Sequence, residues 1–249
     1  MWLQAPIDIQ LLPDEVHIWR VNLDNFKSSL EDFTQILSED ELGRAKRFHF
    51  EEHQERFTTA RGILRCILGR YLNIEPFNIR FGYSDRGKPF LVEVTPQQRD
   101  LSNCSRLNFN LSHSQNFALY AVSLKDSIGV DLECIKSNTD VLSLAQRFFS
   151  PSEFTVIKSA PQEQQQQLFF RYWTCKESYL KATGIGLADL QNIEISLTPS
   201  QPAQLNIPGE WSLVEIKPFS NYAAAICLRH DASRIAVNCL DLQFKYWDY

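Results

Sequence analysis

RYWTCKESYLKATG, residues 171–184, has the spacing of a helix, yet it carries Lys176, Glu177 and Lys181 among large aromatics. It aligns without gaps on RFTTARGILRCILG, residues 56–69. Arg56 meets Arg171, Phe57 meets Tyr172, Thr59 meets Thr174, Arg61 meets Lys176 and Gly69 meets Gly184. Other pairs follow in the same order. FNIRF (77–81) matches QNIEI (191–195), and NFALYAVSL (116–124) has a weaker echo in NYAAAICLR (221–229). AKRF (45–48) resembles AQRF (145–148). Chance likeness of two amphipathic helices does not account for a shared order of segments, so duplication is the preferred reading. The fold class expected is α+β: two similar α/β subdomains, about 1–125 and 126–249, related by pseudo-two-fold symmetry as a monomeric pseudo-dimer. A cleft between two such halves is a common place for a ligand.

The totals bound what the chain can be. Its 249 residues suffice for a sizeable core. A net charge of -5 argues against a general nucleic-acid binder, though not against a local basic pocket. The six cysteines, Cys66, Cys104, Cys134, Cys175, Cys227 and Cys239, include no C-x-x-C pair, so a zinc site has no support. MWLQAPIDIQ (1–10) lacks the basic and apolar regions of a signal peptide, and no apolar run is long enough to span a bilayer. A cytoplasmic protein with reduced thiols is expected. No G-x-x-x-x-G-K-[ST] or G-x-S-x-G occurs, which removes P-loop and α/β-hydrolase chemistry.

Several segments carry groups that could do chemistry. IGVDLECI (128–135) reads as a buried strand, and within it Asp131 and Glu133 are i, i+2, on one side. Buried together they would repel, and a hard divalent cation would neutralise them; the plainer alternative is a wet strand end. On the 171–184 helix, Glu177 and Lys181 are i, i+4 with Trp173 one turn before. An exposed pair there would contribute only about 0.3–0.5 kcal/mol, but Trp173 requires that face to be covered. Gly184 and Gly186 end the helix. NLSHS (110–114) offers Asn110, Ser112 and His113 as short polar groups in a turn between strands. SDRGKPF (84–90) is a turn in which Arg86, the Gly87 backbone and Lys88, followed by Pro89, would line a phosphate.

Together, GVDLE (129–133), then WTCKESYLK (173–181) some forty residues on, with GKPF (87–90), FNLSHS (109–114) and the ARGILR helix, resemble the signature of the 4′-phosphopantetheinyl transferases. The resemblance runs from about residue 40 to 230. The spacing and the duplicated chain are similar to the surfactin-synthetase-activating (Sfp-type) branch rather than the short trimeric one.

The resemblance implies a magnesium-dependent transfer of the phosphopantetheine arm of coenzyme A to a serine of an apo carrier protein, with adenosine 3′,5′-bisphosphate as the other product. Asp131, Glu133 and Glu177 then match the metal-binding acids, with manganese a chemical alternative. Glu177 is also the base. Lys181 matches the lysine on the coenzyme A pyrophosphate, and Ser112 with His113 the pair at its phosphates. Arg86, Gly87, Lys88 and Pro89 match the loop beside the adenine and phosphates, while Asn110 and Asp131 complete the coenzyme site. Arg61 falls where relatives place an arginine for the 3′-phosphate; Arg44, Arg47 and Lys176 are further cationic candidates. Fatty-acid, polyketide and nonribosomal-peptide carriers all remain open as partners. An apolar docking patch is expected at the cleft mouth, from RFFSPSEF (147–154) or from Phe169–Phe170, although core is the preferred reading for most of these phenylalanines. A catalytically silent scaffold that binds coenzyme A or a carrier, and a magnesium-dependent phosphohydrolase, are the competing readings.

Overall fold

The computed structural model describes residues 1–6, 8–92, 107–124, 127–198, 201–229 and 236–242, with the backbone alone at 187–189. Cys104 and the expected boundary at 125/126 lie outside the described residues.

Two helices of 22 residues cover two sheets that face each other. The first sheet has the order β1 (Leu3–Gln4), β12 (Ala236–Asp241), β2 (Glu15–Asn22), β6 (Phe117–Leu124), β5 (Leu107–Ser114). The second has the order β10 (Ser212–Ile216), β11 (Tyr222–Leu228), β7 (Ile128–Cys134). Within the first, β2, β6 and β5 are antiparallel neighbours; within the second, β7, β11 and β10 repeat that pattern. The strand β12 comes from the C-terminal part of the sequence but pairs parallel to β1 and β2. The division of the sheets is therefore not a simple cut of the chain near 125.

Alternation along the strands explains the layering. On β2 and β6, Trp19, Val21, Ala118, Tyr120 and Val122 face helix α3 (Glu51–Leu72) in one core. Their neighbours Val16, Ile18, Leu119 and Ala121 face the other way, against Val130, Leu132, Ala224 and Ile226 of the second sheet. A strand buried on both faces reads as a continuous apolar run, which is why FALYAVSL looks unbroken. The outer face of the second sheet packs on helix α6 (Gln162–Thr183), with Tyr172, Cys175, Tyr179, Ala223 and Ala225 in a third core. Ordinary alternation thus gives four layers: helix, sheet, sheet, helix.

The remaining helices repeat a device. Helix α1 (Leu30–Ile36) packs on α3, with the Phe33 ring over Gly62. Helix α2 (Glu39–Ala45) begins with a capping box between Ser38 and Glu41. After α4 (Val141–Phe148), helix α5 (Pro151–Ser159) begins with a capping box between Ser150 and Glu153. Both box glutamates are buried, and each receives a cation from a long helix: Arg61 and Arg65 at Glu41, Lys176 at Glu153. AKRF and AQRF fall at the end of α2 and on α4, so that sequence match does not join equivalent places. The better pair is SEDE (38–41) with SPSE (150–153), which share the capping spacing. Two short hairpins, β3 (Phe81–Tyr83) with β4 (Pro89–Leu91) and β8 (Ile195–Thr198) with β9 (Gln201–Leu205), follow the two long helices. None of the described helices is long and apolar enough to cross a membrane.

Candidate active site

Gly129 decides how closely α6 approaches β7. A Cβ built there would lie 2.0 Å from the Ser178 carbonyl oxygen and 2.4 Å from the Ala182 nitrogen. Only glycine lets the helix backbone rest on the strand. Asp131 and Glu133, i+2 and i+4 from Gly129, share its α6-facing side, and this contact brings Lys181 to Asp131. The Lys181 ammonium lies 2.6 Å from Asp131 Oδ1 and donates to Ser112 Oγ at 3.0 Å. Ser112 Oγ in turn donates to the same Asp131 oxygen at 3.0 Å.

Leu111, Ser112, His113, Asp131, Glu133, Trp173, Glu177 and Lys181 line one cavity of about 410 Å³. Three elements thus converge: β5, β7 and the last turns of α6. Trp173 anchors the helix face by packing against Phe148 and Phe169 at ring separations of 5.8 Å. Beside it, a cavity of about 290 Å³ is lined by Arg86, Gly87, Lys88, Pro89 and Asn110 from one side. Glu177, Leu180, Lys181, Gly184, Ile185 and Gly186 line the other side. Glu177, Lys181 and Leu111 belong to both cavities, which makes one elongated cleft.

The electrostatics of the cleft call for a cation. Burial, then the Asp131 charge, raises the pKa of Glu133. Burial, then Asp131, raises Glu177 to about 7, with Glu133 adding to the shift and Lys181 opposing it. Asp131 Oδ2 is buried and receives no hydrogen bond; a bare carboxylate oxygen out of water is costly. Among the described residues no three His, Cys, Asp or Glu side chains are already gathered to hold a metal ion. The Lys181 ammonium instead neutralises Asp131. The donor set still fits a hard divalent cation: oxygen ligands only, mutually repelling, with one oxygen lacking a partner. His113 is held below its usual pKa by burial first, then by Lys181, Arg56 and His53.

The phosphate loop is built differently from its expectation. The turn 84–88 joins β3 to β4, and Gly87 adopts φ 79° within it. Lys88 does not aim its ammonium into the cleft. Its Nζ donates to the carbonyl oxygens of Ile128, Lys181 and Ala182, capping the C-terminal end of α6. An ammonium has three protons, and all three are used; burial lowers its pKa. Arg86 lies against Gly186, where an added Cβ would come within 2.6 Å of its Nη1.

Four further cationic candidates stand outside the cleft. Lys176 is a correction: its ammonium donates to the carbonyls of Leu190 and Ile193 and pairs with Glu153 Oε2 at 2.6 Å, with no exposed surface. A coenzyme phosphate cannot reach it, because burial of helix α5 against α6 places it in the core. Arg61 is likewise inside, its Nε donating to Glu41 Oε1 at 2.7 Å and its Nη2 to Tyr83 at 3.2 Å. Arg44 stacks on the Tyr83 ring at 3.7 Å, and Arg47 is exposed on the same segment. Neither lines the two cavities.

Other expectations are also redistributed. Asn110, Ser112 and His113 sit within β5, not in a turn. Phe149, Phe169 and Phe170 are core residues, the reading preferred for most of that group; among the described residues Phe48, Phe50, Phe77 and Phe90 are the exposed phenylalanines. Ser114 was not singled out for chemistry, although it reaches Glu133 Oε2 at 3.0 Å. The N-x-S-x-S alternation at 110–114 puts it on the same side of the strand as Ser112, and that is the signal that would have found it.

Comparison with known proteins gives a consistent result. The N-terminal family model of 4′-phosphopantetheinyl transferases matches residues 19–125, and the 4′-phosphopantetheinyl transferase superfamily model matches residues 127–227. The 4′-phosphopantetheinyl transferase HetI of Nostoc sp. is 50% identical over 248 residues, covering 100% of this chain and 98% of that protein. The 4′-phosphopantetheinyl transferase Sfp of Bacillus subtilis is 26% identical over 204 residues, 80% of this chain and 85% of that protein. The human L-aminoadipate-semialdehyde dehydrogenase-phosphopantetheinyl transferase is 29% identical over 216 residues, 78% of this chain and 68% of that protein.

Proposed function

The chain belongs to the 4′-phosphopantetheinyl transferase superfamily, and from that premise we propose that it transfers the 4′-phosphopantetheine arm of coenzyme A to a serine hydroxyl of an apo carrier protein. The observation that carries this reading is the convergence of Asp131, Glu133, Glu177 and Lys181 on one cavity, with Asp131 Oδ2 left unpartnered. Asp131, Glu133 and Glu177 would hold a magnesium ion, with manganese chemically close. When bound, that ion would neutralise pyrophosphate charge.

The serine oxygen attacks the β-phosphorus, forming a new P–O bond. The bond to the α-phosphate side breaks, and adenosine 3′,5′-bisphosphate leaves. Glu177 is the candidate to accept the serine proton; burial and the Asp131 charge raise its pKa in the metal-free cleft, and a divalent cation held by it would lower that pKa again. Lys181 neutralises Asp131 at rest; were Asp131 to hold a divalent cation, the Lys181 charge would be available to the leaving phosphate. His113 lines the same cavity and would hydrogen-bond the phosphates. Arg86 and the Gly87–Pro89 backbone form the wall for the nucleotide end.

The same reading makes residues 1–125 and 126–249 two related halves about an approximate two-fold axis, acting as a monomer. Its support is the repeated strand order and the twice-used capping glutamate paired to a long helix. Acyl, polyketide and peptidyl carriers are the candidate partners, and a panel of these apo carriers incubated with coenzyme A, with and without magnesium, tests the whole reading. Intact mass spectrometry reads the added arm. Asp131→Ala and Glu177→Gln are each expected to abolish transfer; full activity in both would overturn the site, and coenzyme A cleavage without any carrier would replace transfer by hydrolysis.

A further inference from the structure

Strand β5 ends one sheet and β7 ends the other, so each has an edge of unpaired backbone groups. The edge of β7 is satisfied in an unusual way. Asn110 Oδ1 accepts from the Val130 N–H at 2.8 Å, Ser112 Oγ from Leu132 at 3.3 Å and Ser114 Oγ from Cys134 at 3.1 Å. Side chains at i, i+2 and i+4 of one strand thus meet backbone donors at i, i+2 and i+4 of the other. Buried backbone N–H groups need partners, and here they find them across the junction of two sheets.

Ser114 has a second contact that orders the cleft. A hydroxyl carries one proton. With the Cys134 N–H directed at its oxygen, that proton goes to Glu133 Oε2 at 3.0 Å. Ser112 makes the corresponding contact with Asp131 at 3.0 Å. The two carboxylates, which repel each other, are thereby each held by a hydroxyl that is fixed to the backbone of their own strand.

We propose that Ser114 is a positioning residue that fixes the Glu133 carboxylate for a divalent cation, by locking one of its oxygens through the β5–β7 junction. This rests on the reading of Glu133 as a metal ligand. It assigns Ser114 a role that acts through Glu133, with no contact to the transferred group. Supporting residues of this kind change metal affinity by roughly 10–100-fold when removed.

The test is binding of Mn2+ to the full chain with coenzyme A present, followed by the electron-spin signal of free Mn2+. Ser114→Ala is expected to weaken binding by about 10-fold, with the KM for coenzyme A unchanged at saturating Mn2+. Ser114→Cys keeps the volume but donates weakly, so it behaves as the alanine variant and carries the test if that variant folds poorly. Ser114→Thr restores binding. In a Glu133→Gln background, Ser114→Ala has less than a twofold effect, because the carboxylate it orders is gone. Wild-type Mn2+ affinity in both the alanine and cysteine variants, or an undiminished loss in the Glu133→Gln background, overturns the proposal. If Glu133→Gln itself leaves affinity unchanged, the reading of Glu133 as a ligand fails first, and the role of Ser114 fails with it.

Discussion

The Lys181 ammonium lies 2.6 Å from one oxygen of Asp131, and the other oxygen of the same carboxylate is buried without a donor. Asp131 is 3% exposed, so the single ion pair is its main compensation. Removing Lys181 should leave a nearly uncompensated charge. Because Lys181 itself is partly solvated, we expect Lys181→Met to lower stability by about 1–2 kcal/mol, less than a fully buried pair would. Millimolar Mg2+ should then raise the melting temperature of the variant more than that of the wild type, since the ammonium no longer competes for Asp131. An equal or smaller gain in the variant would count against the divalent-cation site.

Gly129→Ala introduces a methyl group where the α6 backbone already lies, 2.0 Å from the Ser178 carbonyl oxygen. The helix must lift from β7, separating Lys181 from Asp131. The expected cost is about 3 kcal/mol or more, at the upper end for overpacking. Urea unfolding measures it, and a cost below about 1 kcal/mol would show that the strand and helix can part freely.

Lys176→Met removes the only cation paired with the buried Glu153 among the described residues, leaving it the amides of Ser150 and Ile195 as donors. Breaking a buried pair by removing one partner costs about 3–5 kcal/mol. The folded fraction should keep its KM for coenzyme A. A raised KM with unchanged unfolding would return Lys176 to the cleft.

His17 gives a pH dependence of stability. Burial lowers its pKa below the ordinary 6.5, with Glu15 opposing that shift. Its Nδ1 contacts the Tyr71 hydroxyl at 2.7 Å, and that hydroxyl accepts from Trp19 Nε1 at 2.9 Å. The unfolded chain binds the proton more readily, so stability is complete above about pH 6.5 and is lost as pH falls through the depressed folded pKa. His17→Gln should flatten the acid limb of melting temperature against pH. An unchanged slope would exclude His17 as a source of it.

The helix at 171–184 was legible because charge at i, i+4 beside a tryptophan conflicts with a purely apolar face, and a conflict of that kind points to a site. Asp131 and Glu133 were legible for the same reason, as acids following an apolar run. Lys176 and Arg61 were not, because a cation that pairs inside the core has the same letter as one that faces a ligand. Their partners, Glu153 and Glu41, lie twenty or more residues away, and nothing local links them. Lys88 was placed in the right loop with the wrong use: the sequence does not tell which acceptors a long side chain reaches, and the end of α6 reaches it first. The strand alternation of NLSHS was hidden by its polarity, since Asn and Ser usually mark turns. Here they mark an edge that needed partners.

The parallel seating of β12 between β1 and β2 sets the order of events during synthesis. The β2 edge waits for residues 236–241 while everything between them is made. Arg20 then closes on Asp241, and Leu242 donates to the Arg20 carbonyl. A ribosome releasing the first half therefore releases an unfinished sheet with an open flank, the kind of surface that invites wrong partners. Among the described strands β12 is the last in chain order, and it is the latch on the sheet that β1 and β2 begin, so its loss would be felt at the far end of the sequence from the change.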